Sequence, residues 1–149
     1  LLQRVSPTEE RRKAAARLAD LLASFPPDLQ PQTDHRAMGR IAEALASLRG
    51  KELLVYHPAF GYFADEYGLV QVAVETGGKE PSARQLAALI EQAKERGIRV
   101  VFVQPQLSQA GARAVAEAIG GAAVSLDDLS ADYLNNLEEM VKKIEEALR

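Results

Sequence analysis

Cysteine is absent from all 149 residues. Disulfides are therefore excluded, and so are thiolate metal sites; a metal bound here would need imidazole and carboxylate ligands. Histidine is nearly absent as well, with only His35 and His57. Tryptophan is missing, and aromatics make up 5% of the chain. No run of about eighteen apolar residues occurs, so no segment reads as membrane-spanning. Basic residues nowhere cluster with interleaved aromatics, and the net charge is −3. That balance argues against nucleic acid or an anionic membrane surface as the partner. The first residue is Leu1, not Met, which points to processing or to a piece of a longer chain.

The apolar fraction of 47% and charged fraction of 26% are those of a globular domain. The length suits a single domain with a sizeable core. The few aromatics are not spread evenly. Tyr56, Phe60, Tyr62, Phe63 and Tyr67 are five of the eight, all inside one short stretch.

That stretch organises the rest. Leu53–Tyr56 is a short apolar run with the length of a buried strand. It stops at His57-Pro58, and a residue before proline is pushed out of helical geometry. Pro58 is expected to open a helix at its first position, carrying Phe60, Tyr62, Phe63 and Tyr67 and ending at Gly68. His57 is thereby expected at the carboxyl end of a parallel strand, where open α/β sheets place their ligands.

The flanking chain reads in order. Ser6-Pro7-Thr8-Glu9 has the pattern of a helix start, with Ser6 as cap. Ala14, Ala15, Leu18, Leu21 and Leu22 follow at helical spacing, as far as Ser24. Phe25-Pro26-Pro27 and the polar residues to Asp34 form a connection. A second helix is expected from Thr33 or Asp34 to Leu48, burying Met38, Ile41, Ala42, Leu45 and Leu48, with His35 in its first turn and Gly50 as its stop.

Beyond Lys51, strands and helices alternate. Leu69–Val74, Ile98–Val103 and Ala122–Leu126 read as further strands. Helices are expected after Ser82, after Ser108, and from Ala131 to Leu148. Four strands each followed by a helix predict a four-stranded parallel sheet flanked by helices, preceded by one or two helices. In such a sheet the carboxyl ends share one edge, so His57, Glu75, Gln104 and Asp127 become neighbours. Strands lie about 4.8 Å apart, so a histidine and an aspartate two strands apart can reach one ion between them. An aspartate in that position can equally cap the following helix.

The sequence His57-Pro58-Ala59-Phe60-Gly61-Tyr62-Phe63, with Asp65-Glu66-Tyr67-Gly68-Leu69 after it, resembles a segment of the metal-binding solute-binding proteins of zinc and manganese ABC transporters. Glu80-Pro81-Ser82, Ile98–Gln106, and Val124–Leu129 with Tyr133-Leu134 downstream resemble further segments of that family in the same order. The resemblance implies that residues 51–149 are the C-terminal, metal-binding lobe of such a protein and that residues 1–50 belong to its helical linker. It implies His57 and Asp127 as metal ligands, with Glu75, Gln104 and Tyr62 at the periphery. Asp128 stands where the family often has proline, and Gln104 where it commonly has glutamate.

Upstream, the positions of a second ligand histidine and a tryptophan in the family pattern hold Leu2 and Arg4. The implied cargo is Zn2+, with Mn2+ as the alternative. The implied partners are a membrane permease and an N-terminal lobe of the same protein, in a periplasmic or otherwise extracytoplasmic setting, lipid-anchored in some relatives. Capture without bond-making is implied, not catalysis. Two other readings stand beside it: a small α/β enzyme with His57 as general base, oriented by Asp127 or Glu75, and a metal-free interaction module.

Overall fold

The structure is a computed structural model that describes residues 35–149 together with Gln3, Arg4, Lys13, Ala16 and Arg17. Lys13, Ala16 and Arg17 are helical. The rest of the helix expected after Ser6, the Phe25–Asp34 connection and the caps Thr33 and Asp34 lie outside the described residues.

Five strands form one sheet: β1 (Gln3–Arg4), β2 (Glu52–Val55), β3 (Val70–Ala73), β4 (Val100–Val103) and β5 (Ala122–Ser125). The helices are α1 (His35–Leu45, continued by a 3-10 turn at Ala46–Leu48), α2 (Gly61–Tyr67), α3 (Ala83–Glu95), α4 (Gln109–Ala118) and α5 (Tyr133–Leu148). The strand order is β1-β3-β2-β4-β5. The four expected strands are parallel, as the alternation with helices requires. The fifth is an addition: β1 pairs antiparallel with β3. Two residues carry no alternation to read, yet they cover backbone groups that β3 would otherwise leave unpaired at the sheet edge.

Both faces of the three central strands β2, β3 and β4 are buried, which explains their near-continuous apolar runs; β5, at the edge, is partly exposed. On one face Leu53, Val55 and Phe102 pack with Ile41 and Leu45 of α1, Ala64 of α2 and Ile144 of α5. On the other, Leu54, Val72 and Val101 pack with Leu89 of α3 and Ala112 and Val115 of α4. The helices following β2 and β4 thus lie on opposite faces although those strands are neighbours. The chain reverses its direction of winding between them, which makes this the switch point of the sheet.

Several expectations shift in detail. α2 begins at Gly61, not Pro58. The Ala59 amide closes a tight turn onto the His57 carbonyl at 2.9 Å, and the Phe60 amide goes to the Gln71 side chain, so neither enters a helical ladder. The stop at Gly68 is as expected: its φ of 74° is left-handed, a conformation only glycine adopts without strain. In α1, Ile41, Leu45 and Leu48 are buried, but Ala37 takes the buried place expected for Ala42, which is exposed. Ser82 caps α3 in a reciprocal box with Gln85, whereas Ser108 precedes α4 without a side-chain bond. No described helix is long and apolar enough to cross a membrane.

Candidate metal centre

Register fixes the row of side chains at the carboxyl edge. Val55 pairs with Ala73 on one side and with Phe102 on the other. Two residues further along each strand stand His57, Glu75 and Gln104, on the same face by alternation. On the last strand Val103 pairs with Ser125, which puts Asp127 and Asp128 just past the end of β5. The row therefore runs Glu75, His57, Gln104, then the aspartates, with the switch point between His57 and Gln104.

Glu75 and His57 are in direct contact. His57 Nδ1 lies 2.7 Å from Glu75 Oε2, and the side chains are 38% and 16% exposed. An ionised carboxylate only accepts, so Nδ1 is the nitrogen that donates here, and in a neutral imidazole held this way the lone pair stands on Nε2. A carboxylate that fixes the tautomer of an imidazole in this way is the usual second partner of a metal-binding histidine. Tyr56, just before His57, carries a phenol held above its usual range, first by burial and then by the carboxylates of Glu80 and Glu75.

The turn bearing His57 is braced from below. Gln71, 4% exposed within an otherwise apolar strand, accepts the Phe60 amide at 2.7 Å. Phe60 and Tyr67 are buried in the core, Phe63 is half-buried, and Phe63 stacks at a tilt on Tyr67 with ring centroids 4.9 Å apart. Gln71→Leu keeps the shape of the strand but leaves the Phe60 amide without its acceptor. We expect a loss of about 1–3 kcal/mol, seen as a lower urea midpoint at unchanged slope.

Gln104 is 7% exposed. Its Nε2 donates to Asp128 Oδ1 at 2.7 Å, and its Oε1 is buried without a partner. Asp127 is held differently. Its Oδ1 accepts from Gln106 Nε2 at 2.7 Å and from the Leu129 amide at 3.0 Å. These two bonds hold its carboxyl below the usual carboxylate range, the Gln106 amide foremost, against the effect of burial and with Lys143 adding slightly. A depressed carboxyl contributes stability above its unfolded value and loses it as pH falls through the folded one. Acid is therefore expected to open the β5–α5 turn. Amide exchange at Leu129 should speed up below the ordinary carboxylate range in the wild type, and lose that step in Asp127→Asn.

The structure thus brings His57 and Glu75 into contact and ties Gln104 to Asp128, while Asp127 bonds to its own turn and to Gln106. Tyr62 is 50% exposed and lines a groove of about 690 Å³ along α2, with Met38, Tyr67, Tyr133 and Leu137. His35 opens α1. Among the described residues, no three His, Asp or Glu side chains gather as a metal-holding group. Gln71, Gln106 and Asp128 were not foreseen as parts of this edge. For Gln71 the signal was present: a lone amide between valines in a buried strand must find a partner.

Comparison with known proteins adds the following. The family described as ZnuA, zinc-uptake complex component A, periplasmic, matches residues 35–147. The zinc-binding lipoprotein AdcA of Streptococcus pneumoniae serotype 4 is 34% identical over 104 residues, which are 68% of this chain and 19% of AdcA. The high-affinity zinc uptake system protein ZnuA of Bacillus subtilis strain 168 is 37% identical over 95 residues, 62% of this chain and 27% of that protein. A crystal structure of ZnuA superposes with a TM-score of 0.73 at 35% identity, over 95% of this chain and 50% of that one. The chain spans a fifth to about a quarter of the length of these curated relatives, and half of the solved one.

Proposed function

The chain belongs to the ZnuA family of periplasmic zinc-uptake components, and on that premise we propose that it is a zinc-capturing lobe that hands its ion to an ABC-transporter permease. In this reading residues 51–149 form the metal-binding lobe, and the helical region before residue 51 leads to a second lobe that completes the ligand set. His57 supplies Nε2 and Asp127 its free Oδ2. Glu75 acts behind His57, fixing the tautomer. Gln104, whose Oε1 lacks a donor, accepts from a water carried by the ion, and Tyr62 stands at the rim.

The observation that carries this reading is the 2.7 Å contact between His57 Nδ1 and Glu75, beside the switch point of the sheet. Imidazole donors favour zinc over manganese, so Zn2+ is the cargo and Mn2+ the weaker competitor. Capture and release involve no bond-making, in keeping with the zinc-binding and zinc-uptake names of the relatives. The setting is extracytoplasmic, in keeping with the names of the family and of the AdcA lipoprotein.

Calorimetric titration of the chain with zinc and with manganese is the test, with Asp127→Ala and Glu75→Gln alongside. Two protein ligands leave the remaining positions to water, so micromolar or weaker binding is expected. Glu75→Gln is expected to weaken zinc about 10- to 100-fold, the usual effect of losing an outer partner of a ligand. Equal affinity for zinc in the wild type and both variants would refute the assignment.

A further inference from the structure

Asp127 is held from three sides. Its Oδ1 accepts from Gln106 Nε2 at 2.7 Å and from the Leu129 amide at 3.0 Å. Its main-chain carbonyl accepts from Asn136 Nδ2 of α5 at 2.5 Å. Each oxygen of an ionised carboxylate has two lone-pair directions, so Oδ1 is fully engaged. Among the described residues no bond reaches Oδ2, which is left open. The Leu129 bond belongs to the turn itself, an aspartate side chain taking the amide two residues on. The Gln106 bond is of another kind, because it crosses from the turn after β4, 21 residues earlier. That turn is braced. The Leu107 amide closes onto the Gln104 carbonyl at 3.1 Å, and Gln109 Nε2 donates to the carbonyls of Gln104 and Leu107 at 2.8 and 3.0 Å. Gln106 itself is exposed, so its side chain supports no core. What it does is fill one oxygen of Asp127.

We propose that Gln106 sets how many oxygens Asp127 gives to the ion, and through that number favours zinc over manganese. The proposal rests on the reading of Asp127 as a ligand. With both lone-pair directions of Oδ1 taken, Asp127 binds through Oδ2 alone. Zinc is satisfied by four donors and takes a carboxylate oxygen at about 2.0–2.2 Å. Manganese suits octahedral, oxygen-rich sites. A carboxylate that turns both oxygens to the ion is the simplest way to add a donor without adding a residue, and the Gln106 amide withholds that donor. Because the amide is neutral, it closes the oxygen without bringing a charge that would act on both divalent ions alike. Gln106 does not touch the ion; it is a positioning residue that works through Asp127. Its effect is separate from that of His57, whose nitrogen favours zinc by donor type.

Titration of the 149-residue chain and of Gln106→Leu with zinc chloride and with manganese chloride tests this. Leucine keeps the bulk and removes the amide, and an exposed position should leave the thermal midpoint nearly unmoved. The ratio of the manganese to the zinc dissociation constant is expected to fall at least about tenfold in Gln106→Leu, the lower end of what an outer partner of a metal ligand is worth. A loss shared equally by both ions would mean that Gln106 only steadies the turn, and would overturn the proposal; so would two unchanged affinities. Infrared difference spectra of the manganese-loaded chain give a second readout, with Asp127→Asn identifying the bands. The gap between the antisymmetric and symmetric carboxylate stretches of Asp127 is expected to be wide in the wild type, as for one-oxygen binding, and to narrow in Gln106→Leu. A narrow gap already in the wild type overturns the proposal. Asp127→Asn also separates the two readings. Zinc affinity untouched by it removes Asp127 as a ligand, and the role of Gln106 with it. Zinc affinity that drops there, beside an unchanged ratio in Gln106→Leu, leaves the ligand standing and overturns the role of Gln106 alone.

Discussion

Zinc titrated into the His57→Ala chain is expected to bind at least about a hundredfold more weakly than into the unaltered protein. Losing a carboxylate that holds a ligand imidazole from behind, as Glu75 would, typically costs 10- to 100-fold, and removing the nitrogen donor itself costs no less. A hundredfold is about 2.8 kcal/mol, enough to push weak binding out of calorimetric range. The loss is not one of folding. His57 lies beyond the last core residue of its strand and is partly exposed, so the thermal midpoint should move by only a few degrees. Acidification of the wild type should mimic the substitution, because protons compete for the imidazole lone pair. Affinity that survives His57→Ala would put the ion elsewhere.

The largest effect on stability is expected from Gly121→Ala. A Cβ at Gly121 would fall 1.8 Å from the Arg99 carbonyl oxygen and 2.5 Å from its carbon. The obstacle is backbone, not a side chain that can swing away. The neighbouring amide, Ala122, already donates to that same oxygen at 2.9 Å, which is how β5 joins β4. Space for a methyl group can come only by prising the edge strand off the sheet. A loss of at least about 4 kcal/mol is expected, in the range reserved for such lesions. Denaturant unfolding measures it, and Gly120→Ala is not a substitute control, since Gly120 has a left-handed φ of 71° of its own. Because β5 delivers Asp127, zinc affinity should fall with it; a stable Gly121→Ala protein would mean that the two strands have slack.

Much of this was legible beforehand because the sequence is locally consistent. Leu53–Tyr56 and Ile98–Val103 read as strands because both faces are covered, and Gly68 could be named as a stop because the left-handed cap tolerates little else. What failed to read depended on distant partners. Pro58 has the right chemistry to start a helix, but the Phe60 amide is claimed by Gln71, eleven residues away, and the helix starts later. β1 is too short to carry a period. At the edge itself, alignment of His57, Glu75 and Gln104 followed from parallel register alone. The attachment of Gln104 to Asp128, and of Asp127 to Gln106, turns on side-chain reach that spacing does not encode.

The row of polar residues begins where the two cores end. Val55, Ala73 and Phe102 are the last core residues of their strands on one face, and His57, Glu75 and Gln104 follow two steps later. With the ligands proposed above, choice of cargo and integrity of the scaffold are therefore written in different positions. On that assignment, exchanging the imidazole for a carboxylate at residue 57 is expected to alter which ion is preferred while leaving the packed layers untouched. A lineage carrying this sheet would then drift from one metal diet to another by single substitutions, without first acquiring spare stability to survive the change.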